Sequence, residues 1–554
     1  MSERYDLIVI GGGATGAGVA RDAAMRGLKT ALFERGDLLS GTTGKLHGGI
    51  ASGGRYCVVD PIFARNQIQE HAILKRTAPH CIRLTGGMFV AITDQDMEFR
   101  TRYLKALREV GTPHRELSRE EALDREPNLN PQHKAAIEVP TDELKIFNLV
   151  YAVARTAEHH GAVIRTYAEV VDILRQGNEV HGVKVKNLLS GAVEDVYGQI
   201  VVNAAGPWCG EVAALAGLQL PIRPTPGLLL VFGRRVVNGL INHMRLTGDG
   251  DVLIPDESST IAGTTSWPVD DPDRYAIPIG QIDLIREEAA AMVPILRDVR
   301  ITRVFAGVRP LLDEGESERK ITRMFKCIDH VQRDSLEGFI SLLGGNASMH
   351  RLMAEAAVDM ACSKLGVAAP CPTRTEPLVG AEHAVSAGDI PAERKMEALA
   401  LWRWKRRLGS LHTRAVASRG AQEILCQCEM VSREEVETAF TEDQATNLND
   451  VRRRTRLGMG LCQGGFCAHL AAGVMMECQN TTPLEIHNDL MNFLWMRWGG
   501  VKPVLWGDQL KQQLVVEACY SGIGNYDQLR FLHPTQLGPR FATEGEGISY
   551  VEGA

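Results

Sequence analysis

Residues 5–35 read YDLIVIGGGATGAGVARDAAMRGLKTALFER, and this stretch decides the fold of the first part of the chain. A short apolar run leads into Gly11-Gly12-Gly13-Ala14-Thr15-Gly16, which places G-x-G-x-x-G between a predicted strand and a predicted helix. The glycines allow a tight turn and a close approach of backbone amides to a pyrophosphate, and the helix N-terminus favours negative charge. A second apolar strand ends in Glu34, about 20 residues downstream, where a carboxylate can accept hydrogen bonds from a ribose hydroxyl. The stretch therefore predicts a Rossmann-like dinucleotide site.

The residue that ends the second strand bears on which dinucleotide is bound. The Glu34 carboxylate would repel a ribose 2′-phosphate, so NADP is disfavoured. The residues themselves leave both FAD and NAD open.

Three later segments, rich in small residues, extend this prediction. Residues 35–56 mix glycine with Ser, Thr, Lys, His and Arg, which suits a loop laid against a flat ligand, although a surface loop without a ligand is the alternative. Residues 204–206 and 344–348 each follow an apolar strand, and an ordinary strand-to-helix turn is the alternative for the second of them. The predicted cofactor-binding residues are Gly11, Gly13, Ala14, Thr15, Gly16, Glu34, Arg35, Thr42, Thr43, Lys45, Leu46, Ala205, Gly206, Gly345 and Asn346.

Length and composition bound the possible functions. The chain has 554 residues, too many for one hydrophobic core, so two or three domains are expected. Its net charge of -7 argues against broad nucleic-acid binding. We find no run of apolar residues long enough for a membrane span and no basic region followed by an apolar core at the N-terminus, so we expect neither a span nor a secretory signal. Twelve cysteines without a signal peptide indicate reduced thiols in a cytoplasm, some of them held by a metal.

Four cysteines form a separate pattern near the C-terminal end. The spacing is C-x-C, then 33 residues, then C-x4-C, and four converging thiolates fit either a tetrahedral zinc or an iron-sulfur cluster. Structural zinc sites commonly use C-x2-C in both halves, which neither half matches, so a [2Fe-2S] cluster is favoured; zinc and unligated core cysteines remain the alternatives. The predicted metal ligands are Cys426, Cys428, Cys462 and Cys467.

Taken together, these motifs resemble those of the anaerobic glycerol-3-phosphate dehydrogenase A-subunit family over nearly the full length of the chain. The glycine motif alone marks many unrelated proteins, whereas its combination with this cysteine pattern is shared by few. The segments that carry the resemblance are IGGGATGAGVARDAAMRGL (10–28), GRY (54–56), VVNAAGPW (201–208), AGVRP (306–310), CQCE (426–429), RRRTRLGMGLCQGGFC (452–467) and WGGVKPVLWGD (498–508).

The resemblance implies cofactors, chemistry and partners. It implies FAD, a fold like that of D-amino-acid oxidase, and a C-terminal domain similar to bacterioferritin-associated ferredoxin that holds a [2Fe-2S] cluster. Members of the family remove a hydride from C2 of glycerol 3-phosphate to give dihydroxyacetone phosphate, and electrons leave through partner subunits toward membrane quinone. Carried over to this sequence, Arg55 and Arg309 would grip the substrate phosphate, a task suited to guanidinium groups. The implied location is cytoplasmic, peripheral at the inner membrane through partner subunits.

The chain departs from the family pattern at positions that face the substrate in the family. Where the family has H-S-G-x-R-Y, this chain has Ala51 in place of the histidine. Where the family has G-G-K-x-x-T-Y-R, the lysine is replaced by Asn346 and the Thr-Tyr pair by Met349 and His350. These changes leave the identity of the substrate open. The candidates for accepting the hydroxyl proton are His47, His350 and water, since an imidazole titrates near neutrality, although histidines that only pack are common.

The predicted fold class is α/β, with an FAD-binding Rossmann-like domain, an inserted antiparallel-sheet substrate domain and a small helical iron-sulfur domain. A segment with two tryptophans and four basic residues, 401–407, could meet acidic lipid or a partner subunit, or be a solvated helix face. The predicted boundaries are an oxidoreductase domain over 1–370 with an insertion at about 216–330, a linker over 371–420, a [2Fe-2S] domain over 421–475 and a helical extension over 476–554.

The sequence thus predicts an FAD-dependent dehydrogenase of a phosphorylated small polyol that passes electrons through a [2Fe-2S] cluster. Two alternatives stay open. The first is an amine or opine dehydrogenase subunit, because related flavoproteins with the same cluster domain oxidise C–N bonds. The second is a catalytically quiet electron-transfer or scaffold subunit that keeps both cofactors.

Overall fold

The computed structural model describes residues 4–50, 52–313, 315, 321–381 and 423–523. Three parts of the chain about which the sequence makes predictions lie wholly or partly outside these residues. They are Ala51, most of the predicted linker together with the segment 401–407, and the end of the helical extension beyond residue 523.

Strands dominate the first three hundred and fifty residues. In the described residues they are β1 (Arg4–Ile10), β2 (Thr30–Phe33), β3 (Gly49–Ile50), β4 (Ile82–Arg83), β5 (Gly87–Ala91), β6 (Arg115–Leu117), β7 (Ala135–Val139), β8 (Asp142–Leu144), β9 (Val163–Arg165), β10 (Ala168–Gln176), β11 (Glu179–Asn187), β12 (Val193–Asn203), β13 (Ile222–Phe232), β14 (Leu240–His243), β15 (Val252–Asp256), β16 (Ser259–Gly263), β17 (Ile301–Leu312), β18 (Phe325–Asp329), β19 (Phe339–Gly344), β20 (Ile424–Cys426) and β21 (Val431–Ser432).

Helices separate the strands and make up most of the C-terminal part. In the described residues they are α1 (Ala14–Met25), α2 (Pro61–Thr77), α3 (Asp94–Val110), α4 (Arg119–Arg125), α5 (Ile146–His159), α6 (Cys209–Leu215), α7 (Gly280–Met292), α8 (His330–Asp334), α9 (His350–Leu365), α10 (Arg433–Thr441), α11 (Leu448–Thr455), α12 (Cys467–Cys478), α13 (Pro483–Val501) and α14 (Asp508–Ile523).

The first sheet has a parallel core, with strands in the order β9-β2-β1-β12-β19. The apolar run that precedes the glycine motif forms β1, and its alternate residues Leu7 and Val9 pack beneath α1 and α9 in one hydrophobic core. Antiparallel strands β10, β11 and β18 complete the sheet at its sides. Parallel strands covered by helices are the arrangement that the sequence predicts, so the α/β class is confirmed.

The second sheet is mainly antiparallel and has the order β17-β13-β16-β15-β14-β5-β7-β6. Helix α7 packs on it through Ile282 and Ile285, in a core that also contains Leu228 and Leu230 of β13. The insertion predicted over 216–330 supplies β13 to β17. Strands β5, β6 and β7, between residues 87 and 139, join the same sheet, so two separate stretches of the chain build it.

The described C-terminal residues form a small helical unit with its own hydrophobic core. Val436, Leu448, Ala471 and Phe493, one from each of α10 to α13, are buried together in that core. Two of these helices start with a capping box, Ser432 with Glu435 for α10 and Thr482 with Glu485 for α13. Such caps satisfy backbone donors at the helix start and fix where each helix begins.

A buried ion network joins this helical unit to the first sheet. Asp37 accepts from Arg453 Nε at 2.8 Å, from Arg454 Nη1 at 2.8 Å and Nη2 at 3.0 Å, and from the Tyr151 hydroxyl at 3.0 Å. Burial alone would raise the pKa of Asp37, but the charges of Arg454 and Arg453 lower it to about 2. Nearby, the Tyr167 hydroxyl donates to Asp450 at 2.7 Å. The network holds the two units in a fixed arrangement.

Two further contacts join the helical unit to the second sheet. Arg456 pairs at 2.8 Å with Asp256, the last residue of β15, and at 2.8 Å with Glu429. Helix α13 lies directly on β17: a Cβ added to Gly500 would come within 2.8 Å of the Val304 carbonyl oxygen, so only glycine fits there. Strand β17 is therefore in contact with both parts of the protein.

None of the helices in the described residues combines the length and the apolar character that a membrane crossing requires.

Candidate functional site

The glycine motif forms an open turn between β1 and α1. Gly11 has a φ of 110°, a conformation that glycine adopts freely, and a Cβ at Gly16 would overlap the Gly11 carbonyl oxygen. The N-cap residue Gly13 has no side chain to cap α1, in contrast to the caps of α10 and α13. The Ala14 N–H donates to Thr43 Oγ1 at 3.2 Å, from the loop that follows β2. These features fit a bound pyrophosphate.

Glu34 lies at the carboxyl end of β2, beside the same turn. Its Oε2 accepts from the Gly12 N–H at 2.6 Å and its Oε1 accepts from the Gly36 N–H at 2.8 Å. The next residue, Arg35, pairs with Asp273 at 3.2 Å and stacks over the Trp208 ring, with 4.5 Å between the guanidinium carbon and the ring centroid. Glu34 is thus oriented at the sheet edge, where its predicted ribose-binding role requires it.

The other predicted cofactor segments reach the same edge. Because β2, β1, β12 and β19 are adjacent and parallel, the loops that follow them meet at their carboxyl ends, where open α/β sheets bind ligands. Ala205 and Gly206 follow β12, and Gly345 and Asn346 follow β19. Asn346 Oδ1 accepts from the Ser348 hydroxyl at 2.8 Å. The structure therefore brings these segments together around one cleft edge, and their roles as cofactor contacts stay predictions.

The loop after β2 crosses from this edge to the second sheet. Thr42 to Lys45 form a short 3-10 helix, and the Thr42 hydroxyl donates to the Val308 carbonyl oxygen at 2.6 Å. A Cβ at Gly307 would overlap the Lys45 carbonyl oxygen, so the loop rests directly on β17. Leu46 packs against the core beneath α5. Thr15, in α1, contacts the Met353 sulfur at 3.8 Å instead of opening toward the loop.

Arg309 extends from β17 into the space between the two sheets. Its guanidinium donates to the Thr264 hydroxyl at 2.7 Å and to the carbonyl oxygens of Thr265 at 3.1 Å and Pro226 at 3.2 Å. All three acceptors are neutral, so no carboxylate among these partners offsets the charge. Burial, together with the charge of Arg323, lowers the pKa of Arg309 to about 10. Arg309 is held in place with its charge available to an anion.

Arg55 lies close to Arg309 but has a partner. It pairs with the buried carboxylate of Asp251 at 2.6 Å. Burial alone would raise the pKa of the Tyr56 phenol, but the charges of Arg323, Arg55 and Arg309 outweigh burial and lower it. Three guanidinium groups, one phenol and one carboxylate therefore share this pocket.

The sequence did not identify Arg323 or Asp251 as site residues. Arg323 precedes β18 and Asp251 precedes β15, so each is an ordinary charged residue in a connecting segment. No local motif marks either of them, and only the folding of the second sheet over the first brings them to Arg309.

His47 lies in the same pocket and is uncharged. The Gly49 N–H donates to its Nδ1 at 2.9 Å. A neutral imidazole that accepts at Nδ1 carries its proton on Nε2, so His47 presents a donor at Nε2. Burial, with the charges of Arg55 and Arg309, lowers the pKa of His47 to about 3.

The structure does not bring His350 to this pocket. His350 starts α9, its Nδ1 lies 2.9 Å from the Ala347 carbonyl oxygen, and its ring packs against Gly18 of α1. Burial lowers its pKa to about 4, and the neighbouring charges are those of Arg21 and Arg351 rather than of Arg55 and Arg309. Its environment is that of a histidine packed between two helices.

The four predicted ligand cysteines converge in the helical unit. Cys428 Sγ lies 4.0 Å from Cys426 Sγ and 3.7 Å from Cys462 Sγ, and Cys467 interacts with Cys426 and Cys462 to close the ring. Gly460 leaves room beside them, since a Cβ there would lie 2.8 Å from Cys428 Sγ. Thiolates at these separations fit a cluster held from two loops.

Three features define the class of protein: a Rossmann-like sheet with a glycine turn that no side chain caps, a second and mainly antiparallel sheet, and a helical unit with four cysteines. The class is an FAD-dependent oxidoreductase with an added iron-sulfur domain. The sequence matches the FAD dependent oxidoreductase family over residues 6–344 and the BFD-like [2Fe-2S] binding domain over residues 424–477. The FAD and [2Fe-2S] predictions are confirmed.

Curated relatives match almost end to end. The chain is 38% identical to the A subunit of the anaerobic glycerol-3-phosphate dehydrogenase of Escherichia coli (strain K12), across 94% of this chain and 97% of that protein. It is also 38% identical to the A1 subunit of the same enzyme from Haloferax volcanii, across 95% and 92% of the two chains. The chain belongs to the anaerobic glycerol-3-phosphate dehydrogenase A-subunit family, which confirms the resemblance read from the sequence.

A solved structure agrees with the fold. The crystal structure of the glycerol-3-phosphate dehydrogenase from Bacillus halodurans, complexed with FAD, superposes with a TM-score of 0.65 at 23% sequence identity. The match covers 98% of this chain and 97% of that one. At this identity the likeness concerns the fold alone.

Proposed function

We propose that this protein oxidises glycerol 3-phosphate, or a close phosphorylated polyol, to the corresponding ketone and passes the electrons through its [2Fe-2S] cluster. The observation that carries the proposal is the pair of guanidinium groups in the pocket. The hydrogen-bond acceptors around Arg309 are neutral, and Arg55 lies close to Arg309 in an ion pair with Asp251. Guanidinium groups bind the dianion of a phosphate monoester well.

Arg309 would make the principal contact with the phosphate. Its neutral partners fix the guanidinium without neutralising it, so the full charge acts on the substrate in a site of low dielectric. Arg55, paired with Asp251, would provide a second contact of lower net charge. Because Arg309 lies on β17 beside the loop that carries Lys45, it would place the carbinol carbon next to the cofactor edge.

The chemistry at the carbinol has a defined donor in His47. When bound, FAD supplies a hydride acceptor. With its proton on Nε2, His47 would donate a hydrogen bond to the substrate oxygen and orient it, and the hydroxyl proton would leave to water. His350 takes no part in this step, because its ring packs against α1.

Electrons would then leave by the helical unit. The relatives carry the name of an A subunit, which implies further subunits, and we extend the family's electron route to this chain: from the cluster to partner subunits and onward to quinone. Peripheral attachment to the inner membrane through those partners belongs to the same proposal. The predicted domain boundaries also stay proposals, since part of the linker lies outside the described residues.

The direct test is anaerobic reduction of the purified protein. We expect glycerol 3-phosphate to bleach the flavin absorbance, with reduction of the cluster following, whereas glycerol without the phosphate should not. If only another polyol phosphate bleaches the flavin, that analogue is the substrate. The substitutions at Asn346, Met349 and His350 allow this outcome. Bleaching by none of them would end the phosphate assignment.

The same experiment separates the two alternatives. An amine or opine dehydrogenase would be bleached by a secondary amine acid and would not need the uncompensated charge of Arg309. A scaffold subunit would hold FAD and cluster and respond to no organic substrate.

A further inference from the structure

Three cations from distant parts of the chain lie together, and none of them forms an ion pair within the described part of the chain. They are Lys45 in the loop after β2, Arg303 on β17 and Arg452 on α11. The Nε atoms of Arg303 and Arg452 are buried without a hydrogen-bond partner, and in the described residues none of the three side chains forms an ion pair. The closest ring contact is that of Arg303 with Phe305, 5.6 Å from the guanidinium carbon to the centroid.

The three charges act on one another. Burial lowers the pKa of Lys45, and with the charges of Arg303 and Arg452 it brings that pKa to about 7 against the opposing effect of Asp273. Burial and the charge of Arg303 also lower the pKa of Arg452 well below its usual value. Asp273 itself is occupied by Arg35 and by the Trp208 indole N–H, which lies 3.0 Å away. Like charges gathered away from water are strongly unfavourable unless an anion joins them.

The packing fixes this cluster between the cofactor cleft and the helical unit. The Lys45 backbone rests on Gly307, and Arg303 lies four residues earlier on the same face of β17. Gly500 of α13 covers Arg303, since a Cβ there would come within 3.0 Å of Arg303 Nε. Lys45 follows Thr43 by two residues, and Thr43 touches the N–H of Ala14 in the glycine turn. Lys45 therefore belongs to the same short 3-10 helix as a residue that contacts the turn where a pyrophosphate is expected.

We propose that Lys45, Arg303 and Arg452 bind the diphosphate of FAD, so that a side chain of the iron-sulfur domain forms part of the FAD site. Arg452 then contributes to the FAD site directly from the iron-sulfur domain. The inference rests on the bound FAD and not on the identity of the substrate. Because Arg452 can reach the diphosphate only when the helical unit is docked, FAD binding strengthens docking, and docking strengthens FAD binding by the same factor.

The decisive variant is Arg452→Met in the full-length chain. Removing an unpaired buried charge should leave the thermal unfolding midpoint of the FAD-free protein unchanged or raise it. The same variant should raise the dissociation constant for FAD about tenfold or more, measured by quenching of FAD fluorescence on titration of the FAD-free protein. Arg452→Lys, which keeps the charge, should lose less. Arg433→Met removes an arginine from the same domain at a surface ion pair and is the matched control.

Two probes identify the part of FAD that is held. ADP, which carries the diphosphate, should lose affinity in Arg452→Met by a factor similar to that for FAD, and riboflavin, which lacks it, should not. Unchanged FAD affinity would overturn the proposal, as would a loss of affinity for riboflavin equal to that for FAD. A fall in the unfolding midpoint of the FAD-free variant as large as that of the FAD-bound variant would also overturn it, because the counter-ion would then be a group of the protein.

Discussion

Arg309 is the residue on which substrate recognition depends most. Gly227 makes its position possible, because any Cβ at Gly227 would overlap the guanidinium. The three acceptors around it are two carbonyl oxygens and a hydroxyl, which orient the group and leave its charge uncompensated. A buried arginine arranged in this way is costly to the folded protein and is suited to binding an anion.

Arg309→Met should therefore separate catalysis from stability. We expect kcat/KM for glycerol 3-phosphate to fall about 100- to 1000-fold, equivalent to about 3–4 kcal/mol, because a charge-assisted contact with the phosphate is lost. The flavin spectrum and the unfolding midpoint should be unchanged or the midpoint raised. Steady-state kinetics with an artificial electron acceptor measure the first effect. Arg223→Met, at an exposed ion pair on the same sheet, is the control, and equal losses in the two variants would refute the assignment.

His350 gives a prediction for stability against pH. Its pKa in the folded protein is about 4, below its ordinary value of 6.5, so the unfolded chain binds a proton more readily. Stability is therefore fully present above pH 6.5 and is lost as pH falls toward 4, by about 3 kcal/mol in total. His350→Gln should flatten the fall of the unfolding midpoint between pH 7 and pH 5. Variants of a surface histidine such as His181, a third exposed, should leave that fall intact.

At the residue scale, sequence reasoning proposes site residues where the signal is local. The glycine turn, Glu34 and the four cysteines each sit in short segments whose spacing carries the information. Arg323 and Asp251 could not be found, because their role depends on contacts between segments far apart in the chain. His350 was a candidate because of its place in a family motif, and only the packing of α9 against Gly18 shows that its ring faces away from the pocket.

Among the elements, α1 is the clearest case of structure serving a ligand. Its start carries no side-chain cap, and its close approach to β1 depends on Gly16. The start of the helix is the end where its dipole favours negative charge. The same helix also packs into the core beneath the sheet through Val19 and Ala20.

Gly16→Ala should abolish retention of FAD. The added Cβ would overlap the Gly11 carbonyl oxygen, so the turn must open and the amides that meet the pyrophosphate must move. We expect purified protein with less than about a tenth of the wild-type flavin content, measured by the ratio of visible to ultraviolet absorbance. Gly210→Ala, at a helical site with open space around it, is the matched control and should keep its flavin. Full flavin content in Gly16→Ala would contradict the placement of the cofactor.

The second sheet shows what element-level prediction can and cannot reach. Strand and turn patterns over 216–330 predict an inserted antiparallel sheet, and β13 to β17 form one. The pairing of β14 with β5 is parallel and joins residues about 150 positions apart, and no local pattern specifies such a partner. The second sheet is therefore built from two stretches of the chain. By its sequence, the stretch between residues 87 and 139 cannot be distinguished from the rest of the first domain.

At the scale of the whole molecule, the docking of the helical unit sets the position of the cluster site relative to the flavin site. Asp37 and its partners Arg453 and Arg454 on α11 are buried, so removal of the Asp37 carboxylate leaves Arg454 without its carboxylate partner inside the protein. Arg456 adds a second attachment, to Asp256 at the end of β15. These contacts hold the helical unit against both sheets.

Asp37→Asn should uncouple the domains without removing either cofactor site. Loss of the carboxylate should cost about 3–5 kcal/mol of docking free energy, because buried Arg454 loses its carboxylate partner and Arg453 keeps only Asp450. In rapid-mixing experiments the substrate should still bleach the flavin, while reduction of the cluster becomes slower. Asp195→Asn, at the exposed pair with Lys184, serves as the control. Cluster reduction at the wild-type rate would show that the network does not maintain docking.

The long sequence separation of the docking pair has a consequence for biosynthesis. Asp37 leaves the ribosome early, and Arg453 follows 416 residues later. Throughout translation of the intervening chain, Asp37 has Tyr151 as a partner but not yet its two arginines. We expect a product that ends before α11 to leave this carboxylate without its cations and to be cleaved by proteases more readily than the full-length chain.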